Sequence, residues 1–135
     1  GDKPAAIAEL TRYSKAGGRN PATIKQLATL LEEAGRGAEA AAALERLIYI
    51  APLDEELHTR LGNLWLAQGN AEGAIREFTT VIALKPLDLA ASHYNLARAW
   101  KAAANHDRAM EALLQALEAA PGYKPAQKML LELTQ

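Results

Sequence analysis

"LGNLWLAQGNAEGAIREF", residues 61–78, carries apolar residues in a helical rhythm yet holds three glycines, Gly62, Gly69 and Gly73. Glycine inside a helix costs about 1 kcal/mol against alanine, so each needs a reason. Moved back 34 positions, the stretch falls on "LATLLEEAGRGAEAAAAL", residues 27–44. Moved forward 35, it falls on "LARAWKAAANHDRAMEAL", residues 96–113. Leu61 then meets Leu27 and Leu96, Gly62 meets Ala28 and Ala97, and Trp65 meets Leu31 and Trp100. Gly69 meets Gly35 and Ala104, Ala74 meets Ala40 and Ala109, and Phe78 meets Leu44 and Leu113. Pro52, Pro86 and Pro121 keep the same step. Such a period marks an array of small structural units, each too short to bury its apolar face alone.

Each unit reads as two helices. The first has apolar or small residues at 57, 61, 62, 64 and 65, and the second at 74, 75, 78, 82 and 84, with Val81 and Ala83 widening the stripe. Between them Gly69 suits the left-handed end of one helix, and Asn70 can cap the next. Asn20, Asp54, Asp88 and Asn105 stand at other helix starts, each offering an oxygen to the free first-turn amides. Gly17-Gly18 ends an earlier helix. Short loops force neighbouring helices into antiparallel hairpins. Gly62 is expected where the two helices cross, facing Ala74, with Ala28/Ala40 and Ala97/Ala109 repeating the pair. Trp65 and Trp100 are expected to be mostly buried in the wedge beside them.

Composition agrees and removes whole classes of function. The 135 residues are half hydrophobic but include only one Phe and two Trp, so alanine and leucine dominate and helices are favoured throughout. A net charge of −1 gives no electrostatic footprint for nucleic acid or an anionic membrane. No stretch approaches the roughly 20 apolar residues of a membrane span. The absence of cysteine removes disulfides, thiolate zinc sites and thiol nucleophiles. The chain begins Gly-Asp, as a piece of a longer protein does, so a cytoplasmic and an exported parent both stay open.

At Leu61-Gly62, Trp65, Ala74, Phe78 and Pro86 the sequence resembles the tetratricopeptide repeat family. His58 departs from that pattern, standing where the family has its leading tryptophan. The outer units depart too, with Ala for Gly and Leu for Phe. The resemblance implies an all-α fold, a right-handed superhelical solenoid of antiparallel helix hairpins. The expected division is an N-terminal helix over 1–20, repeats over 21–54, 55–89 and 90–122, and a polar-faced capping helix over 123–135. Residues 1–20 place Gly1-Asp2 on the turn slot of Gly35-Arg36, as half of a further unit would. That helix lacks its hairpin partner, so Ile7, Leu10 and Tyr13 are expected to be partly uncovered, giving a monomer or weak self-association.

Little here suits catalysis. Ser92 and His93 are neighbours on one helix and point about 100° apart, so they do not face each other. No glycine-rich phosphate loop or nucleophile elbow is present. His58 and His93 occupy equivalent slots 35 apart, but stacked helices hold such points roughly 10 Å apart, too far for one metal ion. They are expected at the packing surface between repeats, polar tips outward. His106 belongs to a first-turn surface. No cofactor or metal is expected.

The family resemblance implies that first helices line a concave groove for an extended peptide or partner helix. The slots facing it are Lys25, Thr29, Arg60, Asn63, Tyr94, Asn95, Arg98 and Lys101, with Gln26, Glu33, Glu56, Thr59 and Leu66 beside them. Asparagine can grip a peptide backbone, arginine forks onto carboxylates, and tyrosine adds apolar area with a polar tip. Four cations against Glu33 and Glu56 lead to the expectation of a carboxylate-bearing partner. In the family's chaperone-binding members, a fixed set of five Lys, Asn and Arg slots holds a C-terminal carboxylate. Only Lys25 fits that set; Thr29, Arg60, Ala91 and Asn95 do not, which disfavours a co-chaperone role. The expected function is a non-catalytic protein-interaction module. The alternatives are an auxiliary C-terminal domain of a larger enzyme, such as a peptidase, or a structural oligomerisation segment.

Overall fold

The computed structural model describes residues 2–135, so Gly1 and its half of the turn comparison lie outside the described residues. Among these residues the chain forms eight α-helices and no strand. They are α1 (Lys3–Lys15), α2 (Pro21–Glu33), α3 (Gly37–Ile50), α4 (Glu55–Ala67), α5 (Ala71–Ala83), α6 (Leu89–Ala102), α7 (His106–Ala119) and α8 (Lys124–Leu133). Each helix packs chiefly on the next. Thus α2–α3, α4–α5 and α6–α7 are hairpins, stacked through α3 on α4, α5 on α6 and α7 on α8. This is a helical solenoid, whose core runs along the stack because each unit touches only its neighbours.

Local signals place the helix ends. Asn20, Asp54, Asn70, Asp88 and Asn105 each accept a first-turn amide, as at Asn70 Oδ1 from the Gly73 amide at 2.9 Å. Gly69 has φ +78°, and the Asn70 amide reaches back to the Trp65 carbonyl at 2.8 Å. This left-handed closure satisfies carbonyls at the end of α4. The α6–α7 turn makes the same bond, Asn105 to Trp100 at 2.9 Å, but does so with Ala104 held at φ +59°.

Packing differs from the sequence expectation where α4 crosses α5. A Cβ built on Gly62 would sit 2.5 Å from Cε1 of Phe78, so the ring of Phe78, not Ala74, occupies the space above Gly62. Trp65 and Trp100 are mostly, though not fully, buried, as the sequence leads one to expect. The edge of Trp65 lies where a Cβ on Gly73 would be, at 2.8 Å, which explains that third glycine. Trp100 carries the Arg108 guanidinium 5.6 Å above its ring. In α5 the buried position after Phe78 is Val81, while Ile82 is only half-buried.

The ends also differ. Ile7 is buried in the core cluster with Ile24 and Leu27, so the open face of α1 reduces to Leu10 and Tyr13. Tyr13 lies against Gly18, and its hydroxyl accepts the Asn20 amide at 2.9 Å. Arg46 of α3 donates to Ser14 Oγ, to the Ser14 carbonyl at 2.7 Å and to the Gly18 carbonyl at 2.9 Å, tying α1 to the stack. At the other end α8 is not purely polar, because Leu131 is 64% exposed.

Candidate peptide-binding groove

The first helices of the hairpins, α2, α4 and α6, together with α8, share one face, and side chains bridge along it. Arg60 of α4 reaches Glu32 of α2 with Nε at 3.3 Å from Oε1 and Nη2 at 3.1 Å from Oε2. The same guanidinium donates to Thr29 Oγ1 at 3.3 Å and lies 3.8 Å from Glu56. Thr29 spends its own hydroxyl proton on the Lys25 carbonyl at 3.0 Å. Lys25 pairs with Glu56 at 3.3 Å. Lys3 of α1 pairs with Glu33 at 3.1 Å, and Lys101 of α6 pairs with Glu132 of α8 at 3.6 Å. A recess of about 250 Å³ lies beside Glu32, Arg60, Asn63 and Leu64.

These pairs correct the charge expectation. The sequence count set four cations against Glu33 and Glu56, but Glu32 and Glu132 also enter the face. Lys25, Arg60 and Lys101 already face carboxylates. Arg98 differs. Its Nη1 donates to Asn63 Oδ1 at 3.0 Å and to Asn95 Oδ1 at 3.1 Å, and among the described residues it meets no carboxylate. A guanidinium only donates, so it turns both amide oxygens toward itself and both NH₂ groups away. Neither NH₂ group has a hydrogen-bond partner among the described residues. Three residues from two helices thus form one group of donors.

Tyr94 stands one turn before Arg98 on α6 and packs edge-to-face on Tyr123, with ring centroids 5.9 Å apart. Burial, with Asp88 and Tyr94 nearby, pushes the Tyr123 phenol above its ordinary range. Tyr94 also lines a recess of about 710 Å³ against α8, with Lys124, Pro125, Gln127, Lys128, Met129, Leu131 and Glu132.

The histidines stand off this face and differ from each other. His58 is buried: Nδ1 lies 2.8 Å from Glu77 Oε1 and Nε2 lies 2.7 Å from the Pro52 carbonyl oxygen. Its polar tips therefore point inward, against the expectation from sequence. Each ring nitrogen thus lies against one acceptor oxygen, Glu77 on one side and the Pro52 carbonyl on the other. His93 is half-buried, and its buried Nδ1 has no hydrogen-bond partner among the described residues. Among the described residues no three His, Cys, Asp or Glu side chains gather as a metal site would require.

A left-handed turn within each hairpin, buried small and large residues in the slots of Gly62 and Phe78, and proline at a fixed period all recur from hairpin to hairpin. The tetratricopeptide repeat family model matches residues 66–133, half of the chain. The chain belongs to the tetratricopeptide repeat (TPR) family. No curated protein sequence matches it significantly. Among solved structures, MamA from Desulfovibrio magneticus RS-1 is 20% identical, covers 98% of this chain and 75% of its own, and has a TM-score of 0.81. YrrB, described as a TPR protein with an unusual peptide-binding site, is 22% identical over 94% of this chain and 65% of its own, with a TM-score of 0.79. The first TPR domain of Spaghetti (RPAP3), bound to the HSP90 peptide SRMEEVD, is 16% identical over 85% and 90%, with a TM-score of 0.75. At these identities the likeness is one of fold. Among the described residues of this TPR chain, no helix is long and apolar enough to cross a membrane.

Proposed function

We propose that this chain is a non-catalytic protein-interaction module that holds an extended peptide segment on the face of α2, α4, α6 and α8. The observation that carries the reading is Arg98, a cation held by two amide oxygens and left without a carboxylate. A side chain fixed by Asn63 and Asn95 loses little further freedom on binding, and preorganisation of this kind favours affinity. A peptide carboxylate takes the guanidinium, and peptide carbonyls take the outward NH₂ groups of Asn63 and Asn95. Tyr94 supplies apolar area beside them. Lys25, Thr29, Arg60 and Lys101 form the remaining wall, their charges compensated by Glu56, Glu32 and Glu132. That division differs from a face of uniformly basic character, since only one end carries uncompensated charge. Peptide-bound TPR neighbours of the same fold support the reading.

The test is selection from a phage-displayed random peptide library on the wild type and on Arg98→Ala. The expected result is enrichment of acidic segments that vanishes with Arg98→Ala and survives Arg60→Ala. No enrichment, or enrichment indifferent to Arg98, overturns the proposal.

A further inference from the structure

We infer that a short aliphatic carboxylate binds in a recess walled by α1 and α3 over α2, in the layer of second helices. The site is separate from the groove and uses none of the residues proposed to bind there.

Small side chains open this recess. About 220 Å³ in volume, it lies between Thr11 and Ser14 of α1 and Ala42 and Ala43 of α3, and it reaches Leu27 and Leu31 of α2. Both leucines belong to the buried core. The period shows how far these walls depart from their counterparts. One repeat on, the four wall slots hold Glu45, Ile48, Arg76 and Glu77, and the recess there is lined by charge. A further repeat on, they hold Thr79, Ile82, Glu111 and Ala112. Of the three sets, the first alone combines four short side chains with no charge.

Two cations line the same recess, Lys15 and Arg46. Their slots hold Tyr49 and Thr80 one repeat on, then Ala83 and Gln115, so the charge too is particular to this place. Arg46 donates to the Ser14 carbonyl and hydroxyl and to the Gly18 carbonyl, all neutral acceptors. Its Nε has no partner among the described residues, and neither Arg46 nor Lys15 makes an ion pair there. Glu39 also lines the recess, but both of its oxygens are held by Arg36, at 2.8 and 2.6 Å. The guanidinium is thus fixed in place, with charge and a donor left for a carboxylate. Thr11 adds a hydroxyl.

Shape and charge together select an amphiphile. An apolar pocket with a few convergent polar groups holds a ligand by its chain and orients it by its head. The recess is smaller than the roughly 300 Å³ at which drug-sized sites begin, and larger than the roughly 150 Å³ that accommodates benzene. A chain of roughly six to eight carbons fits that interval. Its methylenes lie against Ala43, Leu27 and Leu31, and its carboxylate meets Lys15 and Arg46.

Amide chemical shifts of the ¹⁵N-labelled chain, titrated with sodium octanoate, test this. Saturable shifts are expected at Thr11, Ser14, Lys15, Ala42 and Ala43. Octanoate should bind more than about tenfold tighter than acetate, because only its chain buries apolar area. Octylammonium, with the same chain and the opposite charge, should not saturate. Lys15→Gln removes one cation, and Ala42→Glu copies Glu111 and adds an anion to the wall. Both positions are exposed, so the fold is kept, and each change should weaken octanoate by about fivefold. Arg98→Ala should leave octanoate binding unchanged, which separates this site from the groove. Octylammonium binding as tightly as octanoate would overturn the proposal, and so would acetate doing so. Shifts centred on Tyr94 and Arg98, or no saturation by octanoate, would overturn it as well.

Discussion

Hairpin α4–α5 sets Gly62 under Phe78 and His58 against Glu77, whereas hairpin α6–α7 has Ala97 with Leu113 and His93 with Ala112 in the same slots. Hairpin α2–α3 fills those slots with Ala28, Leu44, Ile24 and Ala43. At the helix crossing the volumes compensate: where the floor shrinks to glycine, the side chain above it grows to phenylalanine. At the second pair the chemistry is compensated in two hairpins and not in the third. Ile24 and Ala43 are buried and apolar, and His58 and Glu77 are buried and hydrogen-bonded to each other. His93 keeps the imidazole, but the slot of Glu77 holds Ala112, and among the described residues its Nδ1 has no hydrogen-bond partner. One backbone thus accepts different side chains provided that they change in pairs.

The sharpest way to break this comparison is to change one member of the buried pair. His58→Ile leaves Glu77 buried without its imidazole partner, the exposed Arg76 lying 3.3 Å from its other oxygen. Removing one partner of a buried pair typically costs about 3–5 kcal/mol. Adding Glu77→Ala recreates the Ile/Ala pair of hairpin α2–α3, and Pro52 is exposed enough for water to take its carbonyl. The double variant should lie within about 1–2 kcal/mol of wild type, because apolar pairs replace buried ion pairs at little net cost. Urea denaturation of the two singles and the double checks it. A double variant as unstable as the sum of the singles would mean that His58 and Glu77 are not energetically coupled and that the pair does not account for their burial.

A smaller effect is expected at the crossing. Gly62→Ala brings a Cβ into the Phe78 ring and should cost about 1–3 kcal/mol, more than the roughly 1 kcal/mol that alanine gains in a helix. Phe78→Leu removes buried volume and should also destabilise, by about 1–2 kcal/mol. Together they reproduce the Ala97/Leu113 pair, so the double variant should be more stable than either single. Thermal melts decide it. Simple additivity would show that the crossing distance differs between the hairpins and that volume compensation does not explain it.

Residues close in sequence were the legible ones. Asn70, Asp54 and Asn105 cap the helices they precede, and Gly69 closes α4, because each acts within four residues of itself. Phe78 over Gly62 was missed because pairing small with small looks sufficient when only local spacing is read. The constraint is the volume of the pair, taken over hairpins. His58 with Glu77 spans nineteen positions, and its signal is the slot series Ile24/Ala43, His58/Glu77 and His93/Ala112. Glu32 and Glu132 escaped the groove count for a related reason. Long side chains reach across from an adjacent first helix or from α8, so slot direction alone does not say which charges meet. Arg98 stood among the groove residues from the sequence, but only geometry separates it from its compensated neighbours.

The smallest expected effect concerns the uncompensated histidine. Burial holds the His93 pKa below its ordinary value of 6.5, and the field of Glu118 offsets this in part. A proton on Nδ1 would also meet no acceptor among the described residues. The unfolded chain therefore binds a proton at this site more readily than the folded one. In the window just below pH 6.5 stability must rise with pH, since the unfolded state carries the larger proton count there. The contribution is complete above 6.5 and is lost as the pH falls through that window toward the depressed folded value. His93→Ile, which copies Ile24, should flatten this part of the slope. Glu118→Gln should steepen it by removing the charge that favours the imidazolium. Denaturation midpoints for the three proteins between about pH 5 and pH 7.5 measure the difference directly. Parallel profiles would mean that the half-buried ring finds water when protonated, and that the missing glutamate in this hairpin carries no energetic consequence.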